Sequence, residues 1–122
     1  MTEARSSLVD SLHEHVDDSL RIVGYHGGNS WTVDYVREDL QGTYETDVVD
    51  EIADDLLLNV VANERQETLY ELGDMRATVR LFDQGFVVHV PLGQRDGCLV
   101  SVDDDADVRG RELVELVRRV EA

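Results

Sequence analysis

The chain has 122 residues, of which 27 are Asp or Glu against 11 Arg and no Lys, so its formal charge at pH 7 is −16. A length of this order supports one domain, residues 1–122. The charge opposes both the phosphate contacts that nucleic-acid binding needs and the approach to anionic membrane surfaces. Leu, Ile, Val and Phe make up about 30% of the chain, above the range of disordered sequences, so it is expected to fold. No apolar run approaches the roughly 18 residues of a membrane span. The N-terminal MTEARSSLVDSLHEHVDD also lacks the basic and apolar regions of a secretory leader. A cytoplasmic protein is expected. The lone Cys98, in the apolar setting GCLVSV, excludes an internal disulfide and reads as a small core residue.

In chain order, Ala4, Leu8, Val9, Leu12 and Val16 form the apolar stripe of a first helix between Thr2 and Ser19. Leu20 to His26 and Trp31 to Val36 are β-prone runs separated by GlyGlyAsnSer, which predicts a hairpin with Trp31, Val33 and Tyr35 on one face. Val48, Val49, Ile52, Ala53, Leu56, Leu57, Val60 and Val61 recur at helical spacing behind Thr46 or Asp47 as N-cap. That helix either continues towards Gly73, a reasonable residue just past a helix end, or breaks near Asn63, and a break or bend is preferred. Arg76 to Phe82, Phe86 to Leu92 and Cys98 to Asp103 then form an antiparallel meander. Leu113, Leu116, Val117 and Val120 mark a last helix, with the preceding aspartates near the positive end of its dipole.

The order α-β-β-α-β-β-β-α therefore predicts an α/β fold of the α+β type, a three-layer α/β/α sandwich around a five-stranded, mainly antiparallel sheet. Phe86ValValHisVal and Cys98LeuValSerVal are apolar on nearly both sides and suit central strands, whereas the Arg76 strand alternates with polar residues and suits an edge.

Carboxylates at this density repel across a Debye length of about 8 Å at ordinary ionic strength and about 3 Å at 1 M salt. The excess of Asp over Glu, with Arg replacing Lys throughout, resembles haloarchaeal proteins, and the acidity is read as adaptation to molar salt. The segments Ala77ThrValArgLeuPheAspGlnGlyPheValValHisValPro and GlyCysLeuValSerValAspAspAspAla, following GluArgGlnGluThrLeuTyr, resemble a family of small, uncharacterised haloarchaeal proteins from about Leu20 onward. The order of elements also resembles the roadblock/LC7 domain, a relative of profilin-like and longin folds. That resemblance implies a noncatalytic scaffold, often dimeric through edge strands and long central helices, and in prokaryotes a partner of small GTPases. The acidic first half and the segment Glu64 to Leu72 depart from that pattern.

Candidate chemical sites are few. His13 and His15 stand about 200° apart on a helix and cannot share one ion, and His13 with Asp17 alone has chelating spacing. Asp103, Asp105 and Asp107 alternate as in a calcium loop, but Val108 and Val114 occupy the positions that need Gly and Glu. No metal and no cofactor is expected. Gly27 and Gly28 precede no helix and have no Lys for a phosphate loop, so they read as a turn. Pairing Leu92 with Cys98 would put His89 opposite Ser101, but without a nucleophile elbow or an acid to orient His89. No catalytic residue is assigned, and an enzyme is not expected.

Two functions compete. One is a protein-interaction module, homodimeric or bound to another protein, joining through Arg76, Thr78, Arg80 and Phe82 on the edge strand and Leu57 and Leu58 on the long helix. The other is a small-molecule sensor of the profilin or PAS type, with a ligand near His89, Ser101 and Trp31. The loop AspGlnGly allows a two- or a three-residue turn, which sets opposite faces for the Arg76 strand, so Phe82 is open either to core burial or to an association patch.

Overall fold

The computed structural model describes residues 2–27, 30–42, 46–93, 96–106 and 108–121, with side chains for all of these except 2–6, 30, 31, 46–49, 53, 57, 59–61 and 121. Helix α1 (Thr2–Val16) ends in a short 3-10 turn (Asp17–Ser19) and leads to β1 (Leu20–Gly27) and β2 (Ser30–Val36). A second 3-10 turn (Glu38–Leu40) precedes α2 (Thr46–Tyr70). Then follow β3 (Thr78–Phe82), β4 (Gly85–Pro91), β5 (Gly97–Asp103) and α3 (Gly110–Glu121). The five strands form one antiparallel sheet in the order β2-β1-β5-β4-β3.

Alternation along the strands sends one set of side chains to each face. Val23, Tyr25, Phe86, Val88, Val90, Cys98, Val100 and Val102 meet Leu8, Leu12 and Val16 of α1 and Leu113, Leu116 and Val117 of α3 in one continuous core. This is why Cys98 is fully buried. Ile22, His26, Val87, His89, Leu99 and Ser101 occupy the other face, where α2 contributes Ile52, Leu56 and Leu58. The sheet is thus the middle layer, with α1 and α3 on one side and α2 on the other. β4 and β5 are buried almost throughout, while β3 is an end strand. Both agree with their residue patterns.

Three local expectations are corrected, and the open choice of turn between β3 and β4 is resolved. Helix α2 runs without a break through Asn63 to Tyr70. After it, Glu71 takes φ +54° and Gly73 φ +91°, so the left-handed stop begins two residues before the glycine. In the first hairpin a bulge falls between Val23 and Gly24: Val33 pairs with Gly24 and Tyr35 with Val23, which puts them on opposite faces. Tyr35 accordingly stacks edge-on against His13 of α1, their ring centroids 4.7 Å apart. The β3–β4 turn has two residues, since Phe82 pairs with Gly85. Finally, the Leu92 N–H donates to the Asp96 carbonyl at 2.9 Å, which shortens the β4–β5 connection and pairs His89 with Leu99 and Ser101 with Val87. The turn residues Gly28 and Asn29, and the side chains of Thr46 and Asp47 expected as caps, lie outside what is described.

Candidate functional site

The β3 register decides which residues face α2. Thr78 pairs with His89, Arg80 with Val87 and Phe82 with Gly85, so all three side chains stand on the α2 face of the sheet. Arg76 precedes the strand and is exposed. Arg80 and Phe82 form one wall of a groove of about 820 Å³ between the sheet and α2. Ile22, Val87, Leu99 and Ser101 make its floor, and Ile52, Leu56 and Leu58 line it from the helix. Its lining is mainly apolar, with charge supplied by Arg21, Arg80 and Asp55.

Phe82 is 62% exposed and Leu58 69%. The two-residue turn therefore puts Phe82 on the surface rather than in the core. Four of the expected patch residues, Thr78, Arg80, Phe82 and Leu58, sit at or beside the groove, and Arg76 just precedes the strand. The side chain of Leu57 is outside what is described, as is that of Trp31.

The opposite face of β3 adds residues that the sequence reading missed. Leu81 is 81% exposed and Val79 46%, because α3 starts at Gly110 against Val79 and lies over β4 without covering the end strand. Their signal was a strand with apolar residues at both parities (Val79, Leu81, Phe82), unusual for an edge open to water. Leu69, Tyr70 and Leu72, at the end of α2, are likewise exposed.

His89 and Ser101 are not brought together as a directly opposed pair. Instead, the Nε2 atoms of His89 and His26 lie 2.8 Å apart, both side chains buried, so that one Nε2–H donates to the other Nε2. Burial, then the neighbouring His26 and Arg80, pushes the His89 imidazole down to about 4. Neither residue lines the groove described above.

At one end of the sheet, the Arg37 guanidinium donates to the carbonyl of Asp18 at 2.8 Å and to the carboxylates of Asp39 and Asp103, tying β2, the first 3-10 turn and β5 together. Asp39, through its hydrogen bond, and Asp103 hold that guanidinium above its ordinary range. Asp103 is therefore engaged in structure. Asp105 accepts a hydrogen bond from the Ser19 hydroxyl, and Asp107 lies outside the described residues. Among the described residues no three His, Cys, Asp or Glu side chains are grouped to hold a metal ion, and no helix is long and apolar enough to cross a membrane.

Residues 6–122 match the model of the family described as "Domain of unknown function (DUF7522)". No curated protein matches the chain. Among solved structures, the chain is similar to the gliding protein mglB from Thermus thermophilus, with 12% identity and a TM-score of 0.69 over 98% of this chain and 91% of that one. It is also similar to a roadblock/LC7 domain from Streptomyces avermitilis, with 21% identity and a TM-score of 0.60 over 94% and 92% of the two chains. A third, "MglB with tetrameric arrangement", has 11% identity and a TM-score of 0.69 over 98% and 88%. At these identities the likeness is one of fold, and it agrees with the resemblance drawn from the order of elements.

Proposed function

The chain belongs to the DUF7522 family, and from that premise and its roadblock-like fold we propose that it is a noncatalytic protein-association module whose first partner is a second copy of itself. One observation carries this reading: the end strand β3 presents Val79, Leu81 and Phe82 to solvent beside an apolar groove. An end strand also offers N–H and C=O groups on its outer side to another strand. Exposed apolar side chains in such a place mark an interface or an aggregation hazard, and a chain of net charge −16 is protected from indiscriminate aggregation.

Charge favours a second copy as occupant. Residues 76–82 carry Arg76 and Arg80 and no acid, whereas residues 46–63 carry Asp47, Asp50, Glu51, Asp54 and Asp55 and no base. Two copies related by a two-fold axis bring one such segment of each sign to both halves of the contact. The structural relative with a tetrameric arrangement supports self-association as a habit of this fold.

Sedimentation equilibrium at tens of micromolar in 2–3 M KCl tests the reading. A dimer that Leu81→Lys converts to monomer is the expected result, and a strictly monomeric wild-type chain overturns it. The groove volume also falls among small-molecule sites. That favours a second reading, a ligand-binding domain, which an apolar dye bound equally by the wild type and by Leu81→Lys would support.

A further inference from the structure

β1 and β4 are not neighbours, because β5 runs between them. Side chains on strands two apart start roughly 10 Å from each other at the backbone, given a spacing of about 4.8 Å between neighbours. His26 and His89 nevertheless touch, and they do so above Gly97. Gly97 pairs with His26 on one side and with Pro91 on the other, and His89 pairs with Leu99 two residues along. A Cβ on Gly97 would stand 2.8 Å from the His89 Nε2 and closer still to the His26 Nε2. The glycine is thus the opening through which the two imidazoles meet, their rings inclined by only 24° with centroids 5.1 Å apart.

We propose that His26 and His89 form a clasp across β5 that closes only while a single proton lies between the two Nε2 atoms, so that acid opens it and loosens the sheet face beneath α2. The hydrogen bond at 2.8 Å needs one Nε2–H and one Nε2 lone pair. A second proton sets two N–H groups head to head, with His26 only 4% and His89 only 1% exposed, where burying charge is costly. Burial, and after it the neighbouring His26 and Arg80, resist a further proton on His89. Arg80 on β3 acts on His89 through its charge, and Asp96, in the β4–β5 connection, directly precedes Gly97. The Asp96 carboxylate lies beside the positions a Cβ would take on Gly27 and Gly93. β5 contributes Gly97 and Leu99, neither charged, and the charged residue that α2 sends to the same sheet face, Asp55, lies in the groove with Ile22 and Ser101.

The consequence for association rests on the reading given under Proposed function. β1, β5 and β4 carry the floor of the groove and hold β3 in register, so an open clasp weakens the surface that a second copy would use.

Nitrogen-15 NMR of the histidines in the full wild-type chain, in molar KCl at pH 7.5, tests the clasp itself. One imidazole of the pair protonated at Nε2 and the other at Nδ1 is expected, and two identical tautomers overturn it. Native-state hydrogen exchange, corrected for the intrinsic rate, then reads the opening. Amides of residues 25–27, 88–90 and 97–99 lose protection by about tenfold per pH unit between pH 6.5 and 5. Protection unchanged over that interval overturns the acid response. Sedimentation at pH 7.5 and 5 gives the third arm: the wild-type dimer weakens in acid, and that of a His26→Gln, His89→Gln double variant does not. Equal weakening in both overturns the link to association. A chain monomeric at both values overturns the proposed self-association, while the tautomers and the exchange still decide the clasp.

Discussion

Gly97 has the largest consequence for its size. Its missing side chain is the space in which two buried imidazoles meet, and Gly97→Ala should cost at least about 2 kcal/mol by forcing them apart, as measured by chemical denaturation. The His89 imidazole is pushed down to about 4 in the folded chain from an ordinary 6.5, chiefly by burial. Between those values the unfolded chain binds more protons than the folded one. Stability is therefore full above pH 6.5 and falls as pH drops towards 4, by about 3 kcal/mol in all. Denaturation midpoints at pH 7.5, 5.5 and 4.5 check this, and a His89→Gln variant should show a shallower slope. A strand ending in TyrHisGly and an isolated Gly opening another strand are signals of close approach only once the two histidine-bearing strands are known to lie two apart. Ser101 was legible as a buried polar residue, but its partner was not, because the β4–β5 loop closes through Leu92 and Asp96 and slides the register by two.

At the scale of elements, β3 and the helices α1 and α3 respond to substitution in opposite ways. Leu12 and Leu113 are fully buried between those helices and the sheet, so Leu12→Ala should cost about 2–5 kcal/mol in a denaturation series. Leu81 is 81% exposed, so Leu81→Lys should change unfolding stability by no more than about 0.5 kcal/mol at a dilution where the wild type is also monomeric, while removing self-association at higher concentration. The strand could be identified as an edge from its alternation, yet which side chains it shows to water depended on one residue of turn length. A two-residue turn turns Arg80 and Phe82 towards α2 and Leu81 away from it, and local sequence allowed either arrangement. The same limit applies to α2. An apolar stripe to Val61 and a polar segment beyond it read as two pieces, but good helix formers such as Glu, Arg, Gln and Leu carry the helix on to Tyr70. The bulge between Val23 and Gly24 left no mark in composition, and it separates Tyr35 from Val33.

For the whole molecule, a charge of −16 on 122 residues should make stability depend on salt. Thermal unfolding followed by circular dichroism is expected at a higher midpoint in 3 M KCl than in 0.05 M, because molar salt screens the mutual repulsion of the carboxylates. A midpoint independent of salt would count against adaptation to brine. Composition determined the net charge and the demand for a folded core, since charge and apolar content are sums that do not depend on where residues go. Periodicity determined the kind and order of the elements, since a helix and a strand each impose their own repeat on a buried face. Only the tertiary structure decided that β1 lies against β5, that His26 reaches His89 over Gly97, and that β3 is left with uncovered apolar side chains. Those are relations between residues far apart in the chain, 63 positions for His26 with His89 and 82 for Leu20 with Val102, and chain-local patterns carry no information about such pairings. Strand order and register are set by how all the layers pack at once, which no single segment encodes.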